Sequence, residues 1–288
     1  MFLREGVLVT SASDLSAASA CEFAALRRFD QRLGRDLVVP ADDDPTKERA
    51  ARLGDAHEER VLAGYRERFG AGVVEIERPR SMSLADLRER ARETEAAFRT
   101  GAALVFQATF FQEPEPDAAL PIAFLGFADF IARVPGAGEP AYEVQDSKLS
   151  RRARVPALMQ LAAYAEQLRL IDVDVAPAAR LLLGDGSDSE HRLADIEPVF
   201  LARRARLHRL LRERWAATGA DGRTETAAPV SWGAEGITAC GRCEVCAPEI
   251  TAQRDLLLVA GLSLIQRDRL RAAGIATIDA LAHRDPAS

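Results

Sequence analysis

The sequence predicts an α/β protein, with a mixed central sheet flanked by helices and a small helical C-terminal extension. Three observations predict it. Segments with apolar residues at helical spacing alternate with short runs rich in β-branched and aromatic residues. Three such runs follow one another between residues 103 and 149, separated by stretches rich in Gly and Pro. The chain has 288 residues, 48% apolar and 28% charged, which is ordinary globular composition and ample for a buried core.

Taken in order, Ser11 or Ser13 caps a helix running through LSAASACEFAALRRFDQRL. The polar loop PADDDPTKE leads to a helix over about 46–68 that carries LGDAHEERVLAGY. VVEIE (73–77) reads as a strand, and Ser83 starts a charged helix to about Arg99. ALVFQATFF (103–111), IAFLGFADFIARV (122–134) and AYEVQDSKL (141–149) read as three strands joined through QEPEPDAALP and PGAGEP. A helix over about 155–170 follows, then a strand at 179–185 and a basic amphipathic helix over about 196–216. A Gly/Thr/Pro loop leads to a cysteine cluster, and after Pro248 come two or three short helices with AGL and AAGI turns.

No apolar run approaches the roughly 20 residues of a membrane helix. The first residues, MFLREGVLVTSASDL, lack the long apolar core and cleavage site of a signal peptide. The expected location is therefore the cytoplasm, with no membrane partner. A net charge of −6 argues against coating DNA by charge alone. It leaves room for a nucleic-acid enzyme, which needs only a local basic groove and acidic metal ligands. Of the 38 basic residues only Lys47 and Lys148 are lysines, so a lysine here is less a generic surface cation than usual.

Cys240, Cys243 and Cys246 form a C-x2-C-x2-C run, and Cys21, the fourth cysteine, lies far upstream on the first predicted helix. Three thiols this close suit one metal centre and make a poor disulfide framework. Such a centre takes four ligands, and one other cysteine exists to complete it. Tetrahedral Zn2+ and a [4Fe–4S] cluster both accept four thiolates. The alternative is three reduced loop cysteines and a buried Cys21.

In QDSK, Asp146 and Lys148 are two apart in a predicted strand and share a face. Asp129, in GFADF on the preceding strand, is near enough to converge with Asp146 on one cation, which would offset the cost of carboxylates inside apolar strands. His57, with Glu58 beside it, is a third candidate ligand. Mg2+ or Mn2+ held there suits phosphodiester cleavage, with Lys148 positioning or helping to deprotonate the attacking water. Gln160 and Tyr164, four apart on the next helix, share a face and are candidates to bond phosphate or base. The competing reading is an Asp–Lys pair on a half-exposed strand beside an ordinary amphipathic helix.

Together these residues resemble RecB-like nucleases of the PD-(D/E)XK superfamily, in the branch with an iron–sulfur cluster. The shared pattern appears in order as Cys21, His57-Glu58, Gly126-Phe127-Ala128-Asp129, Asp146-Ser147-Lys148, Gln160 to Tyr164, and Cys240/Cys243/Cys246. SASDLSAASAC also resembles that branch's S-x-L-x-x-x-x-x-C segment. The resemblance covers about 1–250. It implies a restriction-endonuclease-like core and a divalent metal held by His57, Asp129 and Asp146, with Lys148 catalytic. It also implies a [4Fe–4S] cluster on the four cysteines and nuclease activity on single-stranded DNA or ends, as an exonuclease or end-processing enzyme. The gap of two residues before Cys246 is shorter than is common in the family.

The division expected is a nuclease domain over 1–250 and a tail over 251–288 that resembles a helix–hairpin–helix unit turning at Gly274. Family members are often fused to helicase or nuclease modules, so the chain reads as a piece or truncated copy with such a partner. Arg151, Arg152 and Arg154 directly follow the Lys148 strand and are placed to hold DNA. The arginines at 203–214 read more readily as a solvated helix face. Two other functions fit the sequence less well: a non-catalytic DNA-binding or assembly module stapled by Zn2+ or Fe–S, and a zinc-stapled protein adaptor.

Overall fold

The computed structural model describes residues 1–40, 45–135 and 140–284, with backbone alone at 45–48. Most of the expected loop at 40–48, the side chain of Lys47, the middle of PGAGEP and the last four residues lie outside that description.

The elements in chain order are β1 (Phe2–Arg4), β2 (Val7–Thr10), α1 (Ala12–Ala20), α2 (Glu22–Arg32), α3 (Pro45–Phe69), β3 (Val73–Glu75) and α4 (Leu84–Arg99). They continue as β4 (Leu104–Gln112), β5 (Ile122–Val134), β6 (Ala141–Lys148), α5 (Val155–Leu170), β7 (Ala178–Leu183) and β8 (Asp188–Arg192). The chain ends with α6 (Leu193–Ala216), α7 (Cys246–Ala252), α8 (Leu264–Ala272) and α9 (Ile278–Ala282). The fold is α/β: a mixed, open, eight-stranded sheet flanked by helices, with a small helical C-terminal region. No described helix is long and apolar enough to cross a membrane.

By its own packing the chain divides into two compact units, Met1–Ser16 with Asp44–His208, and Ala17–Asp43 with Arg209–Ser288. The boundary expected near residue 250 falls inside the second unit.

The first unit holds the sheet, ordered β1-β2-β5-β6-β7-β8, with β4 on the other side of β5 and β3 beyond it. Pairings β2/β5, β3/β4 and β6/β7 are parallel and the rest antiparallel. Burial drives this arrangement. Leu104, Phe130, Ile131 and Val144 are fully enclosed, so the central strands read as near-continuous apolar runs. Ser83 caps α4 by accepting the Asp86 amide, and Leu84, Leu87, Ala91 and Phe98 form that helix's buried stripe. α5 is buried over most of its length, including Leu161, Ala162, Ala165 and Leu168.

In the second unit the expected single helix through residue 21 is broken. Cys21 is extended (φ −160°, ψ 100°) and caps α2, its sulfur accepting the Ala24 amide at 3.4 Å. Asp30, fully buried, receives Arg35 at 2.6 Å, Arg214 at 2.9 and 3.0 Å, and the Val230 amide at 2.7 Å. Arg214 thus belongs to a structural hub rather than to a solvated helix face. Asp255 accepts Trp232 Nε1 at 2.7 Å and Arg267 at 2.6–2.9 Å, and the guanidinium lies 4.9 Å from the Trp232 ring centroid. Gly274 (φ +80°) ends α8, with the Ile275 amide donating back to Leu270 at 2.9 Å, so the AAGI turn is a left-handed helix stop.

Candidate functional site

The site in the first unit forms where the sheet opens. Along one edge β5 pairs with β4 from Gln112↔Phe124 to Leu104↔Ala132. Along its other edge it pairs with β2 only at 122–124 and with β6 only at 130–134. Residues 125–129, LGFAD, lie between these two partners. The β5–β6 ladder ends at Phe130↔Gln145, so Asp129 and Asp146 are the next residues on their strands. The β4–β5 ladder skips the position where Gln107 faces Asp129. In one register, then, Gln107, Asp129 and Asp146 stand side by side on three adjacent strands. Gln107 has φ +55°, a left-handed backbone that costs a non-glycine residue on the order of 1–2 kcal/mol and that clusters at working sites.

Asp146 is buried, its side chain 2% exposed, and Lys148 Nζ stands 2.6 Å from its Oδ2. That oxygen, closed off from solvent, has no partner in hydrogen-bonding geometry. Burial, and then the Asp129 charge, push the Asp146 carboxyl up to about 8. The same two causes raise Glu58, against a hydrogen bond from Gln107. Burial works against the charge on Lys148, but Asp146 and Asp129 outweigh it and raise its pKa, so the metal-free chain keeps an ammonium there. Asp129 Oδ2 accepts the Ser147 amide at 2.9 Å and its hydroxyl at 3.0 Å, which fixes the carboxylate against β6.

The structure therefore brings together Asp129, Asp146 and Lys148, as the sequence suggests. From α3 it is Glu58 that feels the Asp129 charge and whose own charge registers at Lys148. His57 is buried, and its Nε2 meets the Leu182 carbonyl oxygen at 3.2 Å. Among the described residues, His57, Asp129 and Asp146 do not form a set with ligand atoms within 4.8 Å of one another.

Tyr164 is buried beside the aspartates, and burial, then Asp146 and Asp129, raise its pKa, so it stays a neutral hydroxyl. The Phe127 amide and the Gln160 side chain work against this rise. Gly126 makes room for this ring: a Cβ there would lie 2.6 Å from Tyr164 Cε1 and 2.9 Å from Phe124 Cε1. Arg151 and Arg152 are exposed on the loop after β6, and Arg154, also exposed, is the N-cap of α5.

The second unit holds the cysteine cage. Cys21 Sγ lies 3.6 Å from Cys246 and 4.0 Å from Cys243, and Cys246 lies 3.4 Å from Cys243 and 3.9 Å from Cys240. All four ligand atoms fall within 4.8 Å of one another, so the quartet could hold a metal ion or an iron–sulfur cluster. Every donor is a soft thiolate, which fits either occupant. A hydrogen bond from Cys246, against burial and with the Cys240 and Ala24 amides, lowers Cys21 to about 5. Cys246 is raised, because its proton is held by Cys21, and burial raises Cys243. The metal-free cage thus holds one ready thiolate and thiols that release protons on metal binding.

Gln107 and the inward role of Glu58 carry no signal in the sequence beyond Glu58 adjoining His57. Compared with known families and with curated proteins, the sequence matches no family model and no curated protein.

Proposed function

We propose that the chain is a divalent-metal-dependent DNA nuclease of the RecB-like PD-(D/E)XK kind, acting on single strands or ends as an exonuclease or end-processing enzyme. The observation that carries this reading is the pairing of half-buried Asp129 with buried Asp146, and Lys148 beside them, at the open edge of β5. Two carboxylates facing each other in an apolar sheet, with a single ammonium beside them, suit a hard cation that accepts oxygen ligands. Asp129 and Asp146 would hold Mg2+ or Mn2+, with Glu58 the nearest further oxygen donor on α3. His57, which the resemblance includes, has only Nδ1 left for a metal while Nε2 meets Leu182.

The bound ion supplies activation of water and neutralises charge on the phosphate. The remaining roles belong to side chains. The Lys148 ammonium orients the attacking water and stabilises the pentacovalent phosphate. Tyr164 and Gln160 present neutral hydrogen-bonding groups to the same phosphate. Arg151, Arg152 and Arg154 hold the backbone beyond it, which makes binding salt-dependent.

The cysteine quartet is read as a structural metal centre. Thiolates around one tetrahedral ion with metal–sulfur bonds of about 2.3 Å stand about 3.8 Å apart, and four of the pairs at 3.4–4.0 Å, with all within 4.8 Å, suit that. Zn2+ is therefore the occupant favoured by size. The [4Fe–4S] cluster implied by the resemblance puts each thiolate on a different iron and requires a wider cage. Anaerobic purification separates the two: a brown protein with visible charge-transfer absorption holds iron–sulfur, and a colourless one with stoichiometric zinc holds a single ion.

End-labelled single-stranded and duplex DNA with Mn2+ tests the nuclease reading. Wild type should cut, and Lys148→Ala should not while keeping its far-UV spectrum. Full activity in Lys148→Ala ends the assignment, and DNA binding without cleavage under any divalent ion returns the non-catalytic module.

A further inference from the structure

A cavity of about 320 Å³ in the first unit lies against the open edge of β5. Phe2, Met82, Leu125 and Phe127 give it apolar walls, and Gln160 and Tyr164 form a polar side. We infer that this cavity seats the nucleobase of the nucleotide adjoining the phosphate that Asp129 and Asp146 address. The inference rests on the nuclease reading and adds to it where one base of the substrate goes.

Four features carry it. The first is adjacency. The Tyr164 ring lines the cavity, while its hydroxyl feels the charges of Asp146 and Asp129, so one side chain spans cavity and carboxylates. A nucleotide is built on the same plan, with an apolar, flat base a short sugar away from its phosphate.

The second is charge. Among the described residues no Lys or Arg lines the cavity, and Asp14 stands among its lining residues. The first turn of α1 serves itself: the Ser11 amide and hydroxyl donate to Asp14 Oδ2 at 2.9 and 2.8 Å, and the Asp14 amide donates to Ser11 Oγ at 3.3 Å. The ammonium of Met1, another lining residue, is paired with Asp14, so a phosphate finds no unpaired cation among the described lining residues, whereas an uncharged base meets no repulsion. The third is the polar side. Gln160 carries both a donor and an acceptor, which any base edge can use. The fourth is size. About 320 Å³ is at the lower end of ligand cavities and suits one nucleoside rather than a stacked run.

Recognition of this kind depends on a base being present more than on which base it is, because every base has a face to stack. The test is a scan of a short fluorescent single-stranded oligonucleotide in which one base at a time is replaced by an abasic residue. Binding of the full chain is read by anisotropy in Ca2+. One abasic position should weaken binding about 10-fold or more while the others change it less than about 3-fold. Ser13 is exposed on the cavity's rim, and Ser13→Trp should close the mouth and erase that single-position sensitivity. Met82, 38% exposed, gives a milder second variant: Met82→Ala should weaken the intact strand about 3-fold and leave the strand lacking the critical base unchanged. A flat abasic profile, or a Ser13→Trp profile identical to wild type, overturns the base seat and spares the nuclease reading. Failure to bind any oligonucleotide overturns both.

Discussion

Replacing Asp146 by Asn should make the metal-free protein more stable, by an amount that grows with pH. Asp146 is almost wholly enclosed and its carboxyl is pushed from the usual 3.8 up to about 8 by burial and by Asp129. Between those values the folded chain keeps a proton that the unfolded chain has released. Unfolding is therefore favoured by about 1.4 kcal/mol for each pH unit gained. Over the roughly four units involved, wild type loses up to about 6 kcal/mol that it holds below pH 4. Asn cannot ionise, and its amide can donate to Asp129 where the carboxylate repelled it. The advantage of Asp146→Asn in chelator should be near zero at pH 4, rise steadily, and level off above pH 8. The assay is urea unfolding at several pH values. Both tryptophans, Trp215 and Trp232, belong to the second unit, so far-UV ellipticity rather than fluorescence follows the first. Mn2+ at a hundred times its dissociation constant should stabilise wild type at pH 8 by about 2.7 kcal/mol and the variant not at all. A variant less stable than wild type at pH 8, or a gap that does not change with pH, refutes the claim that ionising the enclosed Asp146 costs the folded chain stability.

Other outcomes follow from the same structure. Cys21→Ser should leave the second unit without its metal, lowering the fluorescence midpoint, and metal loading of wild type should acidify a weakly buffered solution. Asp30→Ala should destabilise the second unit by about 3–5 kcal/mol, because Arg35 and Arg214 lose their buried counter-charge; calorimetry checks it. At Asp255 burial raises the carboxyl, but Arg267, the Leu257 amide and Trp232 outweigh it and hold it below the usual range. Its contribution is present above the unfolded pKa and lost as pH falls through the folded one, so Arg267→Ala should move acid unfolding of the second unit to higher pH. Gly126→Ala should cost about 1–3 kcal/mol by driving the Tyr164 ring aside, and should weaken cleavage as well, read on labelled DNA.

Strongly patterned elements were legible. α4 is announced by Ser83 and its apolar stripe, β4 and β5 by long runs rich in apolar residues, and β6 by Tyr142 and Val144 alternating with Glu143 and Gln145. The weak elements lacked that signal. β1 and β2 have three and four residues, and only the Glu5–Gly6 pair, both at positive φ, marks their hairpin. β8, DSEHR, is an edge strand with hardly an apolar residue. The helix break at Cys21 was hidden because alanine-rich sequence on both sides supports helix, and what overrides it is the thiol's place in the cage. At the carboxylate site the spacing of Asp146 and Lys148 within one strand sufficed, since period two is fixed by the pleat. The turning of Glu58 rather than His57 toward Asp129 was not legible, because neighbours on a helix differ by about 100° and nothing local shows which faces the sheet.

The cage and the carboxylates differ in kind, and that difference says what each does for the chain. On the function proposed, hard oxygen donors at Asp129 and Asp146 would bind an ion that must exchange water and meet substrate. Four thiolates leave no open position on a tetrahedral ion, and a closed site is structural. Cys21 is 219 residues from Cys240, so a metal joining them closes a loop that contains every residue of the carboxylate site. By the loop-closure relation, holding two such points together in the unfolded chain removes about 5 kcal/mol of chain entropy. That is comparable to the whole stability of many domains. A metal on the soft site would therefore act largely on the unfolded chain, while enclosed Asp146 makes the folded chain less stable as it ionises. With such a closure the chain could keep a carboxylate pair that costs stability without its ion, because the lost entropy of the unfolded state offsets that cost.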